Sequence, residues 1–421
     1  MRTKIHLLFF FLLFLYFDIT AQVTIDGEFR PRSEFRNGYK KPLSDTLNPT
    51  LVTFQRTRLA FTYKSKILNA KITLQDARIW GESTTKTSSS KLEINEAWAE
   101  YLIASGFSAT FGRQILKYDD QRLFSASNWS NTGVAHDLLL LKYKSAGNVQ
   151  AHAGFAYNNS ADVLYETSYT TSKMYKMMAF QWFSKSFENG LTASVLAIEE
   201  GLQNTSDYEV VYPRYTGGAT INFLNDSSKF SFNLVGYYQA GSSSSYQELK
   251  AYLAAVKVGY KFYKSNLIFV GTDYYSGTKT DAKAGTSNTF DKLYGSNHAF
   301  NGNIDYWTSV PTSGLIDIYG GLSGKLSSKL SANLTWHTFS LAQDYEISNE
   351  KIDKNMGSEL DLIFNYKVSK EIALQGGYCM YFDSEPTNKY FKLTDTDTRQ
   401  AQWVYIMLTI KPNFFKTPTE S

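Results

Sequence analysis

Gln55-Arg56-Thr57-Arg58-Leu59-Ala60-Phe61-Thr62-Tyr63-Lys64 is the stretch whose reading decides the fold. Arg56, Arg58, Thr62 and Lys64 share one parity, and Thr57, Leu59, Phe61 and Tyr63 share the other. Successive side chains of a strand point to opposite faces, so an extended segment here sends arginines to one side and apolar groups to the other. A soluble sheet can do the same. What separates the two cases is how often the pattern recurs, and between what kinds of loop.

It recurs along the whole chain. Val23, Ile25, Phe29 and Phe35 oppose Thr24, Asp26, Glu28, Arg30, Arg32, Glu34 and Arg36, a charged face that water tolerates and lipid does not. Later apolar sets include Val149/Ala151/Ala153/Phe155, Phe230/Phe232/Leu234, Tyr252/Ala254/Val256/Val258, Leu360/Leu362/Phe364 and Val404/Ile406/Leu408/Ile410. About eighteen such segments are long enough to cross a bilayer as tilted strands. Short connections near Ser65–Asn69, Ala104–Gly106, Ser145–Asn148, Tyr263–Asn266 and Ser369–Glu371 alternate with long ones at Asn37–Pro49, Gly81–Ser90, Lys117–Gly133, Asn158–Ser172, Ser276–Pro311, Ala342–Asn355 and Ser384–Gln400. Short periplasmic turns and long outer loops are the asymmetry of a transmembrane barrel. The expectation is an all-β chain: one antiparallel, porin-like β-barrel over 22–421. Three places resist the parity rule: Leu138–Leu141, Met174–Phe183, and Asp76 with Arg78, where a bulge would restore it.

Composition agrees. The 421 residues carry 30 Tyr and 29 Phe, yet mean hydropathy is −0.31. A barrel with an aromatic, apolar outside and a polar inside needs both. Arg2 and Lys4 precede an apolar run from Leu7 to Phe17 and a small residue at Ala21, the pattern of a signal peptide over 1–21. That run is too short for a spanning helix of about 20 residues. With one cysteine, Cys379, no intramolecular disulfide or Cys-rich zinc site is expected. The net charge of +4 says little about partners.

Arg56-Thr57-Arg58, Gln75-Asp76-Ala77-Arg78-Ile79-Trp80-Gly81, Gly112-Arg113-Gln114, Asp119-Asp120-Gln121-Arg122-Leu123 and Trp129 form an ordered set. Asp273-Tyr274-Tyr275-Ser276-Gly277, Phe290–His298 and Gly357–Leu362 extend it. Together they resemble the alginate-export family of outer-membrane β-barrels, most of all its bacteroidete branch. The resemblance implies an eighteen-stranded channel or exporter in the bacterial outer membrane, with an arginine-rich lumen for an anionic polysaccharide such as alginate.

The expected pore-lining set is Arg56, Arg58, Asp76, Arg78, Arg113, Arg122, Asp119, Asp137, Arg214, Lys257 and Asp273. Stacked arginines attract carboxylates and hold each through bidentate contacts, and rings of such cations are a usual route to anion preference. The aspartates would orient them. The same spacing equally fits ions that only brace the lumen. Lys142 and Lys261 share the inward parity, and the Ser276–Pro311 loop is long enough to fold into the mouth. The mature histidines, His136, His152, His298 and His337, occur singly, and no nucleotide or hydrolase motif is present, so neither cofactor nor metal is expected. A barrel hydrolase and an adhesion barrel are the alternatives. Expected partners are an anionic saccharide or small anionic solute, outer-membrane lipid including lipopolysaccharide, and a periplasmic or pump partner. Nucleic acid is not expected, and a monomer is expected rather than a trimer.

Overall fold

A computed structural model describes residues 21–84, 92–169, 171, 174–204, 206–347, 350–393 and 398–418. The signal-peptide expectation falls outside the described residues except at Ala21. So do parts of the outer loops 81–90, 158–172, 342–355 and 384–400, and the last residues of the polar tail.

Among the described residues eighteen long strands close into one antiparallel barrel. They are β1 Gln22–Asn37, β2 Thr50–Lys64, β3 Leu68–Ile79, β4 Glu93–Ala104, β5 Phe107–Gln114, β6 His136–Lys144, β7 Val149–Tyr157, β8 Met177–Ser186 and β9 Leu191–Gln203. The second half comprises β10 Val211–Phe223, β11 Phe230–Ser242, β12 Glu248–Tyr263, β13 Asn266–Tyr275, β14 Leu315–Lys325, β15 Leu330–Ser340, β16 Asn355–Lys367, β17 Ile372–Phe382 and β18 Ala401–Ile410. Each pairs with its neighbour, and β18 pairs back onto β1 from Phe29↔Ile410 to Asn37↔Gln402. Beyond Pro412, which has no N–H to give, Asn413–Lys416 resumes pairing with Thr24–Asp26. Closure leaves no free edge for other chains to pair with.

The outer face is continuous because apolar residues lie opposite apolar residues from strand to strand. Phe61 faces Ile72, Ile221 faces Leu234, and Phe232 faces Val258, which faces Val270. All point out of the barrel, and all but the half-buried Phe232 are exposed unless lipid covers them. Eight tight turns mark one rim, and the chain's first and last strands end there. The other rim carries the longer connections, except that the links from β9 to β10 and from β11 to β12 are short. A short helix, α1 Glu385–Tyr390, sits on that rim with Ser384 as its cap.

The three awkward places have distinct explanations. Leu138 and Leu140 point inward and are buried, while Leu139 and Leu141 point outward. Met178 and Phe180 likewise face a packed interior. There the inside of the barrel is apolar, so both parities read as hydrophobic. The bulge sits elsewhere than expected. Thr73 pairs with Glu96 and Leu74 with Ile94, leaving Asn95 as the extra residue on β4. The β2–β3 register runs unbroken from Phe54↔Ile79 to Lys64↔Asn69, so nothing turns Asp76 and Arg78 inward.

Candidate functional site

What fills the interior is two outer loops folded back into it, 115–135 between β5 and β6 and 276–314 between β13 and β14. The first crosses the lumen. At one end it meets the inward row of β1 and β2, whose arginines donate to its backbone carbonyls. Arg32 reaches the carbonyl of Trp129 at 2.6 Å, Arg30 that of Ser130 at 2.9 Å, Arg56 that of Ser130 at 3.1 Å, and Arg58 that of Thr132 at 3.2 Å. Arg56 also bonds the Asn128 side chain at 2.8 Å and pairs with Glu28 at 2.6 Å. Trp129 is clasped between the Arg32 guanidinium and the His298 ring, each 4.0 Å away. At the other end Asp119 accepts hydrogen bonds from Trp182 on β8, Ser194 on β9 and Tyr237 on β11.

Between those ends Arg122 ties the loop to β13. It makes a bidentate pair with Asp273 at 2.8 and 2.9 Å, bonds Asp120 and the Tyr275 hydroxyl, and lies 4.0 Å from the Phe300 ring. Four of this guanidinium's five N–H donors are thereby used inside protein. Burial raises the Asp120 carboxyl above its ordinary range, against the pull of Arg122.

The second loop is held in the same manner. Arg214 of β10 pairs bidentately with Glu200 and reaches Asp291 at 2.7 Å, while the Tyr294 hydroxyl donates to Glu200. On the opposite wall Glu359 and Asp361 of β16 accept the backbone N–H groups of Ile304 and Asn303. Gly302 is needed there, because a Cβ would lie 2.2 Å from a Glu359 oxygen and the backbone sits at φ +81°. Asp305 takes hydrogen bonds from Tyr39 and His298; burial would raise its carboxyl, yet His298 and then Tyr39 outweigh it and hold it low. Burial, reinforced by Arg122, pushes the Lys292 ammonium down to about 8. The loops also join each other: Tyr294 N donates to Leu123 O, Ser125 N to Tyr294 O and Ser296 N to Gln121 O. Phe124, Phe290, Ile304 and Trp307 pack the shared core.

Among the described residues two cavities border the folded loops. Outside the loops a vestibule of about 640 Å³ is lined by Tyr246, Thr278, Asp291, Lys292, Tyr294 and their neighbours. Beneath them, toward the tight-turn rim, a chamber of about 380 Å³ is lined by Asn222, Asn233, Lys257, Tyr319, Asn333 and His337 among others.

The pore-lining set divides accordingly. Arg56, Arg58, Asp119, Arg122, Arg214, Lys257 and Asp273 lie on inward positions or in the folded loop. Asp76, Arg78, Arg113 and Asp137 do not, which corrects the expectation. Asp76 and Arg78 are bonded to each other at 2.7 Å on the outer face of β3, and Arg113 and Asp137 at 2.8 Å on the outer faces of β5 and β6. Both pairs sit near the loop rim, where outward charge meets water and headgroups instead of hydrocarbon. Several residues that hold the loops were not singled out as site residues: Arg30, Arg32, Glu200, Glu359 and Trp307. Arg30 and Arg32 were recognisable by their parity. Nothing in the sequence distinguishes Glu200, and Trp307 is marked only by its place in the long Ser276–Pro311 loop. The histidines bond to tyrosine or aspartate: His136 to Tyr175, His152 to Tyr118, His298 to Asp305 and His337 to Asp317. No cluster of three or more His, Cys, Asp or Glu suited to a metal occurs among the described residues.

With this geometry in hand, comparison with known proteins gives two findings. The sequence signature described as alginate export matches residues 17–385. Solved structures with the same architecture include Pseudomonas aeruginosa OccK5, at 10% identity over 94% of this chain and 98% of that one, with a TM-score of 0.60. P. aeruginosa OpdK, solved with vanillate, matches at 10% identity over 94% and 99%, with a TM-score of 0.62. Acinetobacter baumannii OccAB4 matches at 12% over 93% and 99%, also at 0.62. At such identities the likeness concerns the fold alone. Among curated proteins nothing matches.

Proposed function

Because the chain belongs to the alginate-export family, and is an outer-membrane channel by family and by barrel, we propose that it passes anionic solutes, acidic oligo- or polysaccharide among them. The observation that supports this reading is a surplus of positive charge on one wall. Arg30, Arg32, Arg36, Arg56 and Arg58 face inward from β1 and β2 against Asp26, Glu28 and Glu34. Lumenal cations raise the local concentration of anions and set selectivity.

Most of that charge also works as bracing. Arg30, Arg32 and Arg56 are buried and spend their donors on the crossing loop. Arg58 is the exception: its partners are Gln75 at 2.7 Å and the Thr132 carbonyl at 3.2 Å, with no carboxylate bonded to it, and it remains partly open to the lumen. It is the arginine best placed to meet a passing carboxylate. Transport is passive, following a gradient or a partner pump.

The test is the reversal potential of single channels in a planar bilayer under a KCl gradient. Wild type prefers chloride; Arg58→Ala shifts the reversal potential toward zero, while Arg113→Ala, outside the barrel, leaves it unchanged. Cation preference in the wild type, or equal shifts in both variants, overturns the anion reading.

A further inference from the structure

We propose that the chamber beneath the folded loops seats a primary ammonium group, carried by a small hydroxylated amine, with Asp361 as its counter-charge. The proposal rests on the channel reading only in that solutes must reach the interior, and it adds a class of solute that the arginines of β1 and β2 do not select. It begins with the buried side-chain atoms that no partner reaches. Among the described residues, those lining the chamber are Asp120 Oδ1, Asn301 Oδ1, Asn333 Oδ1 and Asp361 Oδ1. All four are acceptors. Asn301 and Asp361 are only 1% and 3% exposed, and groups so buried otherwise find partners within the protein. Four such oxygens around one cavity leave it short of donors.

Their other bonds fix how they face. Asn301 Nδ2 donates to the Trp307 carbonyl at 3.3 Å, so the amide cannot turn its oxygen away without losing that bond. Asp120 spends Oδ2 on Arg122. Asp361 spends Oδ2 on the backbone N–H of Asn303 at 3.2 Å, which leaves Oδ1 bare. Thr335 of β15 lies directly opposite Asp361 of β16, and Asn333 stands two residues from Thr335 on the same inward face. Diagonal neighbours of this kind are about 7–8 Å apart, close enough for one small group to touch both side chains.

Charge sets the sign of the ligand. Asp120, Asp273, Asp317 and Asp361 line the chamber. One guanidinium, Arg122, serves the first two, and one imidazole, His337, serves the last two. The second sharing is unequal, because His337 Nδ1 is 3.0 Å from Asp317 while its Nε2 is 3.7 Å from Asp361. Lys257 stands on β12, four strands from Asp361 and against the Phe269 ring, and His298 is already bonded to Asp305. Asp361 is therefore the carboxylate with the least cation beside it. A calcium ion would want about 6–8 oxygens at one point, and no cluster of three or more His, Cys, Asp or Glu suited to a metal occurs among the described residues. An ammonium asks less, one charged acceptor and neutral ones for its remaining N–H donors. Asp361 supplies the charge and Asn333 a neutral oxygen, while Asp120 and Asn301 are left for hydroxyls of the same solute. The volume of about 380 Å³ falls in the small-molecule range of about 300–1,000 Å³.

The experiment titrates the full-length protein in detergent, by calorimetry, with D-glucosamine and with D-glucose as its uncharged counterpart. Glucosamine is expected to bind more tightly than glucose, and equal binding overturns the proposal. Asp361→Asn keeps an acceptor for the Asn303 N–H but removes the charge. It should weaken glucosamine by about tenfold, the worth of one charge-assisted hydrogen bond, and leave glucose unchanged. Asn333→Asp, which adds a carboxylate to the same seat, should tighten glucosamine, a gain that damage to the fold does not produce. Equal glucosamine affinity in wild type and both variants overturns the seat while an open, anion-preferring current still stands. Calcium chloride that displaces glucosamine from the wild type at matched concentration assigns the seat to a bare metal ion and overturns the amine. A protein that binds glucosamine through Asp361 but carries a cation-selective current keeps the seat and overturns the anion reading.

Discussion

Replacing Arg122 by methionine should release the crossing loop, and the structure sets the size of the effect. The substitution keeps much of the side chain's length but deletes a guanidinium that bonds Asp273 twice, Asp120 once and Tyr275 once. Asp273, 1% exposed, is left as a buried carboxylate without its cation. Breaking a buried pair from one side costs about 3–5 kcal/mol. At about 1.4 kcal/mol per factor of ten, the docked-to-undocked ratio falls by roughly two to three and a half powers of ten. Asp273→Asn is milder, about 1.5–3 kcal/mol, because Arg122 keeps Asp120 and the amide keeps one acceptor. Removing both charges, as Arg122→Met with Asp273→Leu, should recover much of the loss, since no lone charge stays buried. Two measurements read the docking: hydrogen exchange at the inter-loop amides of Ser125, Tyr294 and Ser296, and single-channel conductance, which should rise and grow noisy as the loop leaves. Wild-type exchange and conductance in Arg122→Met would refute the reasoning. A double variant no better than Arg122→Met would show that the unpaired carboxylate is not the source.

Two further outcomes are expected. Lys292 carries a pKa near 8 when its loop is docked against an ordinary 10.5, so between those values the undocked state binds more protons. Docking should therefore strengthen as pH rises from about 8 toward 10.5 and be flat below, and Lys292→Met should abolish the trend in open-channel noise; a trend of opposite sign would sink the assignment. Val270→Arg, on the outer face and opposite Val258, should cost about 2–4 kcal/mol if that face meets the bilayer midplane. Urea titration of the refolded barrel in lipid measures it, and an unchanged midpoint would argue that water, not lipid, lies outside.

The barrel was legible because lipid imposes one rule on every strand. Phe232, Val258 and Val270 had only to be apolar and alternate, and their alternation survives any detail of the interior. Strand number and the rim bearing the long loops followed from the same rule. The site was less legible because what arginines contact depends on loops whose path no periodicity records. Arg56 and Arg58 were recognisable as inward by parity, but not that Arg56 grips Asn128 and Ser130 while Arg58 stays partly open. Arg113 was misplaced for a related reason. It stands beside Gly112 and Gln114 in a polar cluster, and polarity near a rim does not indicate direction.

The failures of alternation carry information of their own. In a water-filled barrel only one parity is apolar, so Leu138 and Leu140 on the inward parity, or Met178 and Phe180, signal that something dry lies inside. What lies there is Leu116, Leu123 and Phe124 of the crossing loop, in the same buried cluster as those four residues. An apolar inward row therefore records where a loop docks, while a polar inward row with no partners, such as Asn222, Asn233 and Lys257, records where none does. The first kind of row sets where the passage is obstructed and the second where a solute has room. On β11 and β12 the two kinds share a strand: Val235 and Tyr237, and Leu249, Ala251 and Leu253, lie in the buried cluster toward the loop rim, while Asn233 and Lys257 lie nearer the tight turns, so the loops can pack firmly above without closing the chamber below.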